Sequence, residues 1–128
     1  MNVGIIGCGN IAPVYFNSHK FYNNFKVTAC ADIVHEVAKK SAKKHNVKAQ
    51  TVEEILLNDD ISLIINLTVP SSHKEIIMRS LEAGKHCYSE KPLAINFKDG
   101  LAINNLAKEK KLIVGCAPDT FLGGAGQK

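Results

Sequence analysis

No stretch of this sequence approaches the ~20 consecutive apolar residues that a membrane helix needs, so no membrane partner is expected. No basic segment precedes the first apolar run. Met1-Asn2 leads straight into it, so a secretory signal peptide is not expected either. The four cysteines, Cys8, Cys30, Cys87 and Cys116, include no C-x-x-C pair. That argues against zinc and against thioredoxin-type chemistry, and no metal ligand is assigned. Each cysteine lies in or beside an expected buried strand, where a free thiol behaves as a small apolar group. Reduced thiols in a cytoplasmic protein are the expectation. The lysines do not alternate with exposed aromatics and no nucleic-acid-binding motif occurs, so nucleic acid is not an expected partner. Internal repeats are absent, and low complexity is confined to Gly123-Gly124-Ala125-Gly126.

What remains is the composition of one ordinary globular domain: 128 residues, 45% apolar and 22% charged, with a modest net charge of +4. The chain is organised around Val3-Gly4-Ile5-Ile6-Gly7-Cys8-Gly9-Asn10-Ile11-Ala12. An apolar strand ends in Gly7-x-Gly9-x-x-Ala12, and a helical pattern follows at once. This is the arrangement of a dinucleotide-binding turn. Gly7 allows the tight turn, Gly9 leaves room for a pyrophosphate against the backbone, and Ala12 lets the helix pack near the sheet. Amide N–H groups at the helix start, with the helix dipole behind them, would face the phosphates.

The first helix is expected from about Asn10 to His19, with Pro13 in its first turn. Tyr15, Phe16, Phe21, Tyr22 and Phe25 read as core or rim packing. A second strand, Phe25 to Ala31, ends at Asp32, which follows Gly9 by 23 positions. The fingerprint expects an acid about 20 residues on, where its carboxylate accepts bonds from the ribose hydroxyls and repels a 2′-phosphate. Asp32 therefore favours NAD over NADP. The alternative is that it only caps the next helix. That helix, Val34 to His45, carries Lys39, Lys40, Lys43 and Lys44 as a solvated face.

Val47 to Ala49 reads as a short third strand. Thr51-x-x-Glu54 is a capping box that opens a helix through Leu57, and Ser72-x-x-Glu75 is read as a second box. Between them, Ile61 to Leu67 is nearly all apolar, as a central parallel strand should be. The helix after Ser72 stops at Gly84, a good residue to follow a helix end. A fifth strand, His86 to Ser89, runs into Glu90-Lys91-Pro92. Asn96 caps a helix to about Lys110, and Leu112 to Cys116 is the sixth strand. The β-α alternation predicts an α/β, Rossmann-type, doubly wound parallel sheet of about six strands with helices on both faces. Gly7–Ala12, Asp32, Thr68–Pro70, Glu90–Pro92 and Cys116–Pro118 would then share one sheet edge, where ligands of such sheets sit.

The chain resembles the N-terminal half of the Gfo/Idh/MocA family, which includes glucose–fructose oxidoreductase and inositol dehydrogenase. The resemblance is carried by Gly7-Cys8-Gly9-Asn10-Ile11-Ala12, Ala31-Asp32, Thr68-Val69-Pro70-Ser71-Ser72-His73, Glu90-Lys91-Pro92-Leu93-Ala94 and Pro118-Asp119-Thr120-Phe121-Leu122-Gly123. It implies an NAD(P)-dependent oxidoreductase acting on sugars, cyclitols or related polyols. It implies that Lys91 is catalytic, lying beside nicotinamide and substrate, and that Glu90 contacts the nicotinamide-side ribose. Gly7, Gly9, Asn10, Ile11, Ala12 and Asp32 belong to its cofactor site, and Thr68, Pro70 and His73 match positions lining the cofactor groove. His73 reads equally well as a solvent-facing residue in a first helical turn. Residues 1–117 are expected to form the cofactor domain, and 118–128 to begin the linker to a substrate domain. Family members carry that second domain, which often builds a homo-oligomer. This chain alone is expected to bind cofactor without turnover. A stand-alone nucleotide-binding module without chemistry is the alternative, and a CoA-type module explains Asp32 poorly.

Overall fold

The computed structural model describes residues 1–117, apart from the His19 side chain; the expected linker, with its Pro118–Gly123 motif, lies outside the described residues. Six strands make one sheet: β1 (Asn2–Ile6), β2 (Lys26–Ala31), β3 (Lys48–Ala49), β4 (Ile61–Asn66), β5 (His86–Glu90) and β6 (Val114–Ala117). Their spatial order is β3-β2-β1-β4-β5-β6, and every pairing is parallel. The strands are linked by α1 (Ala12–Phe16), α2 (His35–His45), α3 (Val52–Leu57), α4 (Pro70–Glu82) and α5 (Phe97–Lys110).

Both sheet faces are covered, and each has its own core. On one face α1 and α2 pack Ala12, Phe16 and Ala42 against Val3, Ile5, Cys30 and Ile65. On the other, α3, α4 and α5 pack Ile55, Ile77, Leu81 and Ile103 against Ile6, Ala31, Ile64 and Cys87. Residues that alternate along a strand thus feed two different cores, which is why β1 and β4 read as continuous apolar runs. The register brings the strand ends together. Ile6 pairs with Ala31 and with Asn66, Asn66 with Ser89, and Glu90 with Ala117. The segments after β1, β2, β4 and β5 therefore leave the sheet along one edge.

Local chemistry sets most boundaries. Thr51 caps α3 in a complete capping box with Glu54, and the Asn96 side chain accepts the Asp99 N–H at the head of α5. Gly84, at φ 74°, follows the end of α4. Three expectations need correction. The first helix does not run from Asn10 to His19: it is the five-residue α1, followed by a 3₁₀ turn at Ser18–Lys20. Ser72 does not cap α4, because Pro70 already occupies its first turn behind Val69, and the pre-set φ of proline suits that position. The aromatics also divide. Phe16 is 3% exposed, whereas Phe21 and Tyr22 are 82% and 62% exposed.

Candidate functional site

The turn after β1 separates the two glycines by what surrounds them. Gly7 sits at φ +100°, and a Cβ there would lie 2.6 Å from the backbone C and O of Leu67. Its N–H bonds to Ala31 O at 2.8 Å. Gly7 is therefore fixed by the fold itself, where the loops after β1 and β4 touch. Gly9 is different. A Cβ there would meet no atom within 4 Å. Among the described residues nothing would obstruct a side chain at that position, so the space beside Gly9 is open. The amides around it agree. Cys8 N–H is bonded to Asp32 and Ala12 N–H to Gly9 O. Among the described residues, the N–H groups of Gly9, Asn10 and Ile11 have no hydrogen-bond partner. These three donors lie on exposed residues, where unpaired amides can donate to anionic oxygens. Because α1 is short, these amides matter more than any helix dipole. Ala12, 1% exposed, packs into the core beneath.

Asp32 stands at the tip of β2. Its Oδ2 accepts Cys8 N–H at 2.8 Å and its Oδ1 accepts Val34 N–H at 2.9 Å. The carboxylate thus ties the glycine turn to the segment before α2, whose N-cap is Val34 with no side-chain cap, so Asp32 does not cap that helix. A carboxylate has about four acceptor positions, so about two remain for a ligand.

The loop after β4 is built on a residue that the sequence reading passed over. Asn66 is fully buried; its Oδ1 accepts Thr68 Oγ1–H at 2.7 Å and Thr68 N–H at 3.2 Å, and its Nδ2 donates to His73 O at 3.2 Å. The available signal was one polar side chain at the end of an otherwise apolar strand. His73 does not face solvent: it is 1% exposed. Pro70 starts α4 three residues earlier than the expected capping box would, and that turns His73 inward. Its Nδ1 lies 2.6 Å from Pro92 O and its Nε2 2.9 Å from Thr68 O. The ring therefore joins the loop after β4 to the loop after β5. A neutral imidazole donates to one of these carbonyls, and the tautomer decides which.

Glu90 closes β5, and Lys91 follows it, exposed, with a cis bond to Pro92. The Glu90 carboxylate accepts Tyr15 Oη–H on Oε1 at 2.6 Å and Lys91 N–H on Oε2 at 3.2 Å. Tyr15 is the second residue that the sequence reading missed. Its partner is 75 positions away, and no local pattern announces such a pair. Cys30, Cys87 and Cys116 are poor nucleophiles here, whereas the hydrogen bond with Cys30 lowers the Cys8 pKa. Burial pushes Cys87 up to about 12 and also raises Cys116; Cys30 is raised by its hydrogen bond to Cys8 and by burial. Among the described residues, no helix is long and apolar enough to cross a membrane.

Known proteins resemble this chain in sequence and fold. A family described as an oxidoreductase family with an NAD-binding Rossmann fold (GFO_IDH_MocA) matches residues 1–117. The inositol 2-dehydrogenase/D-chiro-inositol 3-dehydrogenase of Lactiplantibacillus plantarum is 36% identical over 114 residues, covering 86% of this chain and 32% of that protein. Oxidoreductase P35 of Formosa agariphila is 36% identical over 100 residues, covering 75% and 31%. The crystal structure of Synechocystis sp. PCC 6803 biliverdin reductase, in complex with biliverdin and NADP+, superposes with a TM-score of 0.91 at 26% identity, over 98% of this chain and 40% of that one. The chain thus spans about a third of the length of the curated relatives it matches. With the glycine turn, the acid at the tip of β2 and the Glu90-Lys91-Pro92 loop on one sheet edge, this chain belongs to the Gfo/Idh/MocA oxidoreductase family, and residues 1–117 carry its NAD(P)-binding Rossmann fold.

Proposed function

We propose that this chain supplies the coenzyme half of an oxidoreductase acting on a sugar, a cyclitol or a related polyol, with Lys91 as its catalytic residue. One observation carries the reading: among the described residues, Gly9 has open space where a Cβ would stand and the N–H groups of Gly9, Asn10 and Ile11 have no partner, on the edge that also bears Asp32 and Lys91. A bound nicotinamide dinucleotide would supply hydride acceptance or donation at its ring. The chain's own residues do the rest. The N–H groups of Gly9, Asn10 and Ile11 would hold the pyrophosphate, with Gly7 and Ala12 shaping the turn. Asp32 has acceptor positions left for the adenosine ribose hydroxyls, and Ile33, 100% exposed beside it, offers an apolar face to a purine. Thr68, Pro70 and Glu90 would border the nicotinamide end, and His73 would act from beneath by fixing both loops. An ammonium at Lys91 Nζ would steady negative charge as it builds on the substrate oxygen.

Asp32 makes NAD the better fit, since a 2′-phosphate would meet its carboxylate. The NADP+ complex of the biliverdin reductase makes the comparison of the two cofactors the informative experiment. The relatives' own names point to inositols as the first substrates to try. Lys91 is exposed, and among the described residues no second wall faces it. Correct positioning of reactants supplies roughly 7–11 kcal/mol of a barrier reduction, so the chain alone should bind cofactor without turning over a polyol. Titration with NADH and NADPH, followed by an absorbance assay with NAD and a panel of inositols and sugars, tests the reading. Absence of binding to either cofactor would refute it, and saturable turnover would show that Lys91 and its neighbours already form a complete site.

A further inference from the structure

Tyr15 lies on α1, just after the glycine turn. Its hydroxyl donates to Glu90 Oε1 at 2.6 Å, and the other oxygen of that carboxylate accepts the Lys91 backbone N–H at 3.2 Å. A half-buried glutamate at the mouth of a site would otherwise spread over several rotamers. Here two donors on two oxygens hold it in one. The Tyr15 ring is itself set, its centroid 6.3 Å from that of Tyr88 at an angle of 53°. Tyr88 stands two residues before Glu90 and therefore on the same face of β5. On the other side of Lys91, His73 from α4 reaches Pro92 O at 2.6 Å. The backbone at Lys91 N–H and at Pro92 O is thus tied to two different helices, α1 through Tyr15 and Glu90 and α4 through His73, while the Lys91 side chain stays exposed. We propose that Tyr15 is a positioning residue for Lys91, acting through the Glu90 carboxylate. It rests on the function proposed above only for the importance of Lys91; the bonded arrangement itself needs no cofactor.

The test begins with the ligand-free 128-residue chain. Tyr15→Phe keeps the ring and removes only the hydroxyl. Amide exchange by NMR should show Lys91 N–H exchanging faster by about threefold or more, with β1 and β4 amides and the melting temperature unchanged. In a Glu90→Ala background the same substitution should leave Lys91 exchange unaltered. NADH titration then closes the cycle. Tyr15→Phe should weaken binding about 10-fold alone, and less than about twofold when Glu90 is already alanine, because the two residues act as a unit. A Lys91 amide indifferent to Tyr15→Phe, or equal losses in both backgrounds, would overturn the proposal and leave Tyr15 as packing. Failure of the wild-type chain to bind NADH would refute the cofactor reading instead, and the ligand-free exchange data would still decide the role of Tyr15.

Discussion

The two glycines of the turn should fail in opposite ways when each is replaced by alanine. At Gly7 the backbone is at φ +100°, and a methyl carbon would sit 2.6 Å from the Leu67 carbonyl. Strained backbone costs about 1–3 kcal/mol. Moving the β4 loop aside to relieve the clash costs about 1–3 kcal/mol more. The sum, roughly 2–6 kcal/mol, is a large part of the 5–15 kcal/mol that stabilises an ordinary domain. Gly7→Ala should therefore lower the melting temperature by roughly 10 °C or more. At Gly9 the methyl enters open space, so stability should change by no more than about 1 kcal/mol, with a gain as plausible as a loss because the unfolded chain is stiffened. Cofactor binding should respond in the reverse sense. A methyl in the phosphate seat displaces the pyrophosphate from one or two amide donors, and losing charge-assisted hydrogen bonds of that kind weakens binding about 10-fold or more. Thermal melts and calorimetric NADH titrations of both variants make the comparison. A Gly9→Ala chain that binds NADH normally, or that unfolds as readily as Gly7→Ala, would refute the assignment of Gly9 to a ligand.

Other perturbations separate the remaining roles. Asp32→Ala should weaken NADH binding about 10-fold or more, because a charged hydrogen bond is lost, while scarcely weakening NADPH; calorimetry with both cofactors reads the difference. His73→Ala removes a buried ring and strands the carbonyl, Thr68 O or Pro92 O, that it bonds, and should destabilise the chain by about 1–3 kcal/mol in urea denaturation. The same variant should expose the Lys91 loop to limited proteolysis.

The fold was legible because its signals are local. Continuous apolar strands, a capping box at Thr51, Asn96 before α5 and Gly84 after α4 each act within a few residues, and together they yield the β-α alternation. The glycine turn and Asp32 were legible for the same reason, as spacing and chemistry agree there. The misreadings came where two local signals competed or where the cause was distant. Pro70 and Ser72 both propose a start for α4, and proline prevails because its φ is fixed. That choice decides whether His73 faces water or the core, so an offset of three residues changes the reading of its environment. Tyr15 and Glu90 are joined only by the folded sheet, and Asn66 looks like a single polar lapse in an apolar strand until its three hydrogen bonds are seen.

The central claim is that the open space beside Gly9 is a dinucleotide seat. Calorimetric titration of the 128-residue chain with NADH and NADPH, run in parallel on wild type and Gly9→Ala, tests it most directly. Saturable one-site binding by wild type, tighter for NADH than for NADPH and lost in Gly9→Ala without loss of the fold, is the predicted result. No saturable binding of either cofactor, or equal binding by the two chains, would contradict it.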